Sequence, residues 1–501
     1  MNQQIARVGW AAMGLLVALV VATTYWQTWA RPALAARQDN EIQRVAEFEI
    51  RRGAIVAPAS GSSTPGDRAV LARNTPREIG KKTLYFRRYP QGKLAAHVVG
   101  YSTVGRARAG LERSLNDVLT GSNRSLGSLV EQTLDELGGE PIIGDSVVTT
   151  LEVDAQQVAL DELGSRCGAV AAFDPRTGRL LVEASTPSYD PNYVENRFDE
   201  IASITAECTP ASPLLNRSSA GLFPPGSIFK VVTASAALES RRYTPESTFF
   251  DPGYCIAYGK RVNNFDTSRP FGNLSLQTAL QHSVNSVFCT IGQKLGARRI
   301  LETAKNFGFY DRPPLETPPD ERLPSGLYRR GDLWYPKRNA DVDAGRMAFG
   351  QERLLVTPLQ MAMVAGAIGN AGILMKPYVV DRIVSPTNSI VDRTEPERIR
   401  RAVSPRTAKD LGDMMVLAVR AGTGTAAAMS GFRVGGKTGT AETGVRGRNV
   451  TWFIAFAGPE GERPHVAIAV VLQNQTSTGG ATAAPIARAV MEAILRPPSN
   501  P

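Results

Sequence analysis

From Val8 to Ala30 the chain reads VGWAAMGLLVALVVATTYWQTWA, without one charged residue. That run matches the ~20 apolar residues needed to cross a bilayer. Trp10 near one end, and Tyr25, Trp26 and Trp29 near the other, suit rings seated at the two interfaces. A cleaved signal peptide is the rival reading, because Ala33, Leu34 and Ala35 resemble a processing site. The run is longer than the roughly 7 to 15 apolar residues of a signal core, so an uncleaved single-pass anchor is expected. Arg7 before it and Arg31 and Arg37 after it orient it weakly. No other stretch approaches spanning length, so everything from about residue 31 is expected on one side of the membrane.

The rest of the 501 residues is too long for one ordinary core. With 43% hydrophobic and 21% charged residues the chain is globular. A net charge of +10 suits nucleic acid, anionic lipid or an acidic polymer such as cell wall. Without an aromatic-interleaved basic run or zinc-finger spacing, no nucleic acid is expected as a partner. Cys167, Cys208, Cys255 and Cys289 lack close C-x-x-C spacing, which argues against zinc, and no metal is expected. Four cysteines outside the cytoplasm allow three disulfide connectivities. Cys255 and Cys289 each flank a motif described below and are expected to pair.

Three blocks follow from the texture. Residues 1–30 form the tip and anchor. Residues 31–150 alternate short apolar runs with charged and Gly-rich turns, as in an extended, loop-rich pedestal whose helices are confined to the neighbourhoods of Gly110 and Leu134. From 151 to 501 the pattern is denser: a helix in DAQQVALDELG, two strands in CGAVAAFDPRTGRLLVEAST turning at Pro175 to Gly178, helices in FKVVTASAALES and TPLQMAMVAGAIGNAG, strands in VTWFIAFAG and HVAIAVVLQNQ, and a closing helix in TAAPIARAVMEAILR. Strands at both ends with helices between predict an α+β domain, one sheet closed by distant pieces of chain.

The stretch GFRVGGKTGTAET, from Gly431 to Thr443, satisfies the phosphate-loop pattern G-x-x-x-x-G-K-[ST]. Such a loop must run into a helix whose amides hold the phosphate. Here three glycines and a strand pattern follow, so the context fails. Lys437-Thr438-Gly439 matches instead the third signature of serine acyl-enzymes. Upstream, PPGSIFKVV supplies Ser227-x-x-Lys230 at a helix start, a spacing that puts hydroxyl and amine on one helical face. A serine needs a base to take its proton, and a lysine desolvated by apolar surroundings can be one. Ser283-Val284-Asn285 lies between the two.

With these motifs in this order, the chain resembles a class B penicillin-binding protein, a membrane-anchored D,D-transpeptidase of peptidoglycan synthesis. RRGAIVAP from Arg51 to Pro58 is similar to the element that opens the family's pedestal, with Ala57 where an acidic residue is usual. GLE at Gly110 to Glu112, PSYDPN at Pro187 to Asn192, FGQERLLVTPLQMA at Phe349 to Ala362 and WFIAFAG at Trp452 to Gly458 are also family-like.

The resemblance implies an antiparallel sheet between helical layers, as in penicillin-binding and serine β-lactamase-like domains, with the catalytic domain extracytoplasmic. It implies that Ser227 attacks the penultimate D-alanine of a stem peptide and that Lys230 accepts the proton. Ser283 would relay a proton, Lys437 would keep the field positive, and Asn285 would bind substrate and hold Lys230. Thr438 and Thr440 would bind the terminal carboxylate, Gly439 would allow close approach of an extended substrate, and the amides of Ser227 and Thr440 would form the oxyanion hole. It implies no metal or organic cofactor, peptidoglycan stem peptides and β-lactam antibiotics as ligands, and a SEDS-type glycosyltransferase as partner. A hydrolase with water as acceptor, a β-lactam sensor and an inactive scaffold are the alternatives. His282, Glu442 and the β-lactamase-like spacing in ETAKN, Glu302 to Asn306, read as structural.

Overall fold

The computed structural model describes residues 2–25, 47–58, 68–80, 82–122, 143–265, 270–445 and 447–495. The apolar run forms helix α1 (Asn2–Thr24), exposed from Arg7 onward and long and apolar enough to cross a membrane between Arg7 and Thr24. Trp26, Trp29, residues 33–35 and the helix expected near Leu134 lie outside the described residues.

The pedestal contributes β1 (Ile55–Pro58), β2 (Arg68–Ile79), β3 (Lys82–Arg88) and β4 (Ser146–Thr149). The catalytic block then runs through α2 (Val153–Leu163), β5 (Gly168–Phe173), β6 (Leu180–Thr186) and α3 (Lys230–Glu239). Four short strands follow, β7 (Thr248–Asp251), β8 (Tyr254–Ala257), β9 (Lys260–Asn263) and β10 (Gly272–Ser275), and then α4 (Asn285–Leu295) and α5 (Pro358–Gly369). Strands β11 (Val380–Val384) and β12 (Ile390–Arg393) precede α6 (Pro405–Ala421). The chain closes with β13 (Phe432–Glu442), β14 (Asn449–Pro459), β15 (Val466–Gln475) and α7 (Gly479–Leu495).

The predicted sheet is present. Five strands in the order β13-β14-β15-β5-β6 pair antiparallel throughout, so strands from the start and end of the block meet at β15 and β5. Alternation sorts its residues into two cores. Val170, Ala172, Phe453, Ile468 and Val470 face α2 and α7, whereas Ala169, Phe173, Trp452, Ile454 and Ala469 face α5 and the helices behind it. Because both faces are covered, the strands read as continuous apolar runs. Helix α5 is buried all round from Pro358 to Ile368 and is capped by Thr357, whose hydroxyl accepts from Gln360 N at 3.2 Å. ETAKN lies within an ordinary helix, Ala297–Asn306.

The pedestal sheet has six strands in the order β12-β11-β4-β1-β2-β3, so β11 and β12 return from the far side of the chain to extend it. β2 is 12 residues long. Its outer half is exposed on both faces, which removes the alternation that would have marked a strand. Ala57 is fully buried in β1, where a carboxylate would be desolvated.

The pedestal is locked by charge. Glu112 of GLE is fully buried and accepts from Arg87 Nε at 2.6 Å and from Arg52 Nη2 at 3.0 Å. Burial is the largest effect on this carboxyl and pushes it up, but Arg87 and Arg52 together outweigh it and hold it below its ordinary value. Next to it, Gly110 N donates to Glu321 and Arg113 Nη1 to Asp320 at 2.8 Å, joining the pedestal to the catalytic block. Glu112→Gln leaves the buried Arg87 without its counter-charge and Arg52 with only Glu47 at 3.9 Å, and is expected to cost about 3–5 kcal/mol in denaturant unfolding. Since the folded carboxyl sits below its unfolded value, its contribution is complete above that unfolded value and is lost as pH falls through the folded one. The gap between variant and wild type should therefore shrink on acidification.

Candidate active site

Pro224, Pro225 and Gly226 lead into a single 3-10 turn, Gly226–Phe229, that continues directly as α3. Gly226 has φ +54°, a conformation that a side chain resists. The turn is pinned from two sides. Trp452 Nε1 donates to Pro224 O at 2.9 Å, and Gly226 N donates to Gly350 O at 3.1 Å. A Cβ on Gly350 would lie 2.0 Å from Gly226 O, so only glycine fits there. Ser227 sits half-buried in this turn.

Lys230 opens α3 and is fully buried. Its amine donates to Ser283 O at 2.6 Å and to Asn285 Oδ1 at 2.7 Å, with Ser283 Oγ at 3.2 Å. The residues that supply these oxygens, Ser283 and Asn285, are half-buried, as is Ser227. Burial pushes its pKa well below the ordinary lysine value, and the nearby Lys437 charge adds to the drop.

Ser283 lies between the short helix Leu276–Gln281 and α4 with φ +59°. A non-glycine residue there is strained and persists only where its surroundings dictate it. Asn285 is the first residue of α4, and its Nδ2 donates to Asn263 O at 3.0 Å.

Lys437 lies mid-strand in β13, so no helix follows it and the phosphate-loop reading is excluded. It is fully buried, and its amine donates to Ser283 Oγ at 2.8 Å and to Thr438 O at 2.9 Å. Burial lowers its pKa to about 7. The Ser283 hydroxyl thus bridges two buried amines. Thr438 Oγ1 is 2.6 Å from Thr423 Oγ1, and Thr440 Oγ1 accepts from Gly479 N at 3.3 Å.

A Cβ on Gly439 would lie 3.0 Å from both Ile228 Cγ2 and Pro225 O, so the Ser227 turn presses close on that side. The open approach is along β13 itself, an edge of the five-stranded sheet with unpaired backbone groups.

The three motifs therefore converge on one cleft. Exposed His282 stacks near Phe271, with centroids 5.3 Å apart, and Glu442 is exposed at the strand end. Cys255 and Cys289 are bonded as expected, tying β8 to α4 beside Asn285, and Cys167 is bonded to Cys208. Sequence reasoning missed the Gly350 support and the Asp251 and Asn264 side chains behind α4. The latter carry only the turn-like letters FDPG and VNNF.

The chain matches the penicillin-binding protein transpeptidase domain family over residues 168–492 and the penicillin-binding protein A dimerisation domain family over residues 60–147. It is 34% identical over 533 residues to the peptidoglycan D,D-transpeptidase PbpA of Mycolicibacterium smegmatis, covering 99% of each chain. The PbpA of Mycobacterium tuberculosis is 33% identical over 519 residues, again with 99% of each covered. Penicillin-binding protein A from M. tuberculosis, solved as a ceftriaxone acyl-enzyme complex, superposes with a TM-score of 0.78 at 31% identity, over 90% of this chain and 100% of that one. Its imipenem acyl-enzyme complex gives 0.76 at 31% identity, over 89% and 99%.

Gly350→Ala should push the Gly226 carbonyl, and Ser227 with it, by about 1 Å, enough to slow a positioned reaction on the order of 10²-fold. The check is the rate of β-lactam adduct formation by intact mass, on protein whose circular dichroism matches wild type.

Proposed function

The chain belongs to the penicillin-binding protein transpeptidase family, and on that premise we propose that Ser227 is the nucleophile of its acyl transfer. The protein is a peptidoglycan D,D-transpeptidase of the kind that β-lactams acylate. Ser227 attacks the penultimate D-alanine carbonyl of one stem peptide and expels terminal D-alanine. The amine of a second stem peptide then resolves the acyl-enzyme and forms the cross-link.

The observation that carries the assignment is the hydrogen-bond inventory of Lys230. A neutral amine has two N–H donors and one lone pair. The two short bonds, to Ser283 O and Asn285 Oδ1, use both donors, and the lone pair, on the side of Ser283 Oγ at 3.2 Å, is the acceptor for the proton that acyl transfer releases. Burial and the Lys437 charge favour that neutral form. Ser283 Oγ, accepting from Lys437, relays a proton from Lys230 to the departing amine. Asn285 also contacts the substrate peptide. Thr438, Gly439 and Thr440 bind the donor as an added strand along β13, with the two hydroxyls and Lys437 taking its terminal carboxylate. The amides of Ser227 and Thr440 receive the oxyanion.

Residues 1–30 serve as anchor, 31–150 as pedestal and 151–501 as the transpeptidase domain, with β11 and β12 lent back to the pedestal sheet. The catalytic domain is extracytoplasmic. Two disulfides support this, since they persist in oxidising compartments. A SEDS-type glycosyltransferase supplies the glycan strands; the family resemblance supports that partner.

Incubation with a β-lactam should add one drug mass to the wild type and none to Ser227→Ala; an unlabelled but folded wild type would overturn the assignment. The second-order acylation rate should fall as pH rises through neutrality, where Lys437 loses its proton. In Lys437→Arg the guanidinium stays charged, so that fall should vanish.

A further inference from the structure

We propose that Asp251 is a positioning residue for acyl transfer, acting through Asn264 and Ser286 on the first turn of α4; this rests on the assignment of Ser227, Ser283 and Asn285 above. Asp251 ends β7 and is fully buried. Its Oδ1 accepts from Gly253 N at 2.8 Å, from Asn264 Nδ2 at 2.9 Å and from the Ser286 hydroxyl. Its Oδ2 accepts from Asn264 Nδ2 and from Phe271 N, both at 2.9 Å. Asn264, itself buried, turns its Oδ1 to Ser286 N at 3.0 Å, and the neighbouring Asn263 O receives Asn285 Nδ2.

Every partner of this carboxylate is a neutral donor, and among the described residues it forms no ion pair. What it controls is geometry. Two of its donors, Asn264 and Ser286, hold the backbone immediately after Asn285. Ser283, two residues before, is strained at φ +59° and relaxes if that anchor loosens. Ser283 O, Ser283 Oγ and Asn285 Oδ1 together set the direction of the Lys230 amine, so a shift of α4's first turn misaims the base without touching it.

An amide cannot replace this carboxylate. It has one acceptor oxygen, and whichever way it turns, its NH2 meets N–H or O–H donors with their hydrogens pointing inward. Asp251→Asn therefore keeps size while breaking the cradle, and Asn264→Ala cuts the same link one residue on.

The test follows β-lactam acylation of the purified full chain in detergent by time-resolved intact mass. The panel is wild type, Ser227→Ala, Asp251→Asn, Asn264→Ala and the double variant. Asp251→Asn should still reach one adduct per chain, about tenfold or more slowly, with the non-covalent drug affinity within about twofold of wild type. Asn264→Ala should slow the reaction in the same sense, and the double variant should be no slower than the slower single, because both act through one link. A merely structural role would lower the fraction of chains acylated and leave the rate of the remainder unchanged; that result overturns the proposal. So does a folded Asp251→Asn within about twofold of the wild-type rate. If Asp251→Asn does not fold, Asn264→Ala decides by the same limits. A wild type that forms no adduct, or a Ser227→Ala that does, overturns the Ser227 assignment instead.

Discussion

Two lysines buried side by side without a counter-charge set the terms for this fold. Lys230 and Lys437 are both fully buried, and neither forms an ion pair among the described residues. Burying even one charged amine is costly, and two sharing the Ser283 hydroxyl repel each other. The pair is tolerable only if at least one is neutral and every remaining N–H finds an oxygen. Carboxylates would have met the charge, but they would also have fixed both protons in place. Backbone and amide oxygens satisfy the hydrogens while leaving the amines free to change protonation state.

That arrangement makes heavy demands on the backbone. Three oxygens must converge on Lys230 from α4 and the loop before it, which is why Ser283 adopts φ +59°. The turn that carries Ser227 is seated by glycines. Gly226 turns the chain, Gly350 lets a second backbone press on that turn, and Gly439 clears the face of β13 where Pro225 and Ile228 lie. The five-stranded sheet supplies the fixed frame. With cores on both faces, β13 is held between two layers at the edge of the sheet.

That the three motifs meet was legible in their order. Lys230 at a helix start, Ser283 and Asn285 at the next, and Lys437 in a strand are brought into hydrogen-bond contact around the Ser283 hydroxyl. The central sheet was legible for its own reason, since strands buried on both faces carry long apolar runs. Long-range pairing was not. Nothing local in Val380–Val384 says that it joins β4, more than two hundred residues earlier in the chain. The outer half of β2 is wet on both sides and carries no alternation. Asp251 and Asn264 read as turn residues because one buried carboxylate gathering donors from four places leaves no periodic trace.

The Cys255–Cys289 bond has a role here that its chain-entropy effect alone does not express. Strands β8 and β9 form a two-stranded hairpin with Ile256, Lys260, Arg261 and Asn263 exposed, and such ribbons are marginal in water unless packed or tethered. Yet Asn263 O must stay at hydrogen-bond distance from Asn285 Nδ2. Packing is thin, with Cys255 and Ala257 of β8 and Val262 of β9 turned inward, and Gln293 of α4 adds one hydrogen bond, Nε2 to Ile256 O at 2.9 Å. The covalent bond to Cys289, one helical turn beyond Asn285 on α4, fixes the hairpin to the same helix whose first residue it must touch. The Asp251 hydrogen bond to Ser286 and the disulfide to Cys289 are thus two restraints of different chemistry on successive turns of α4.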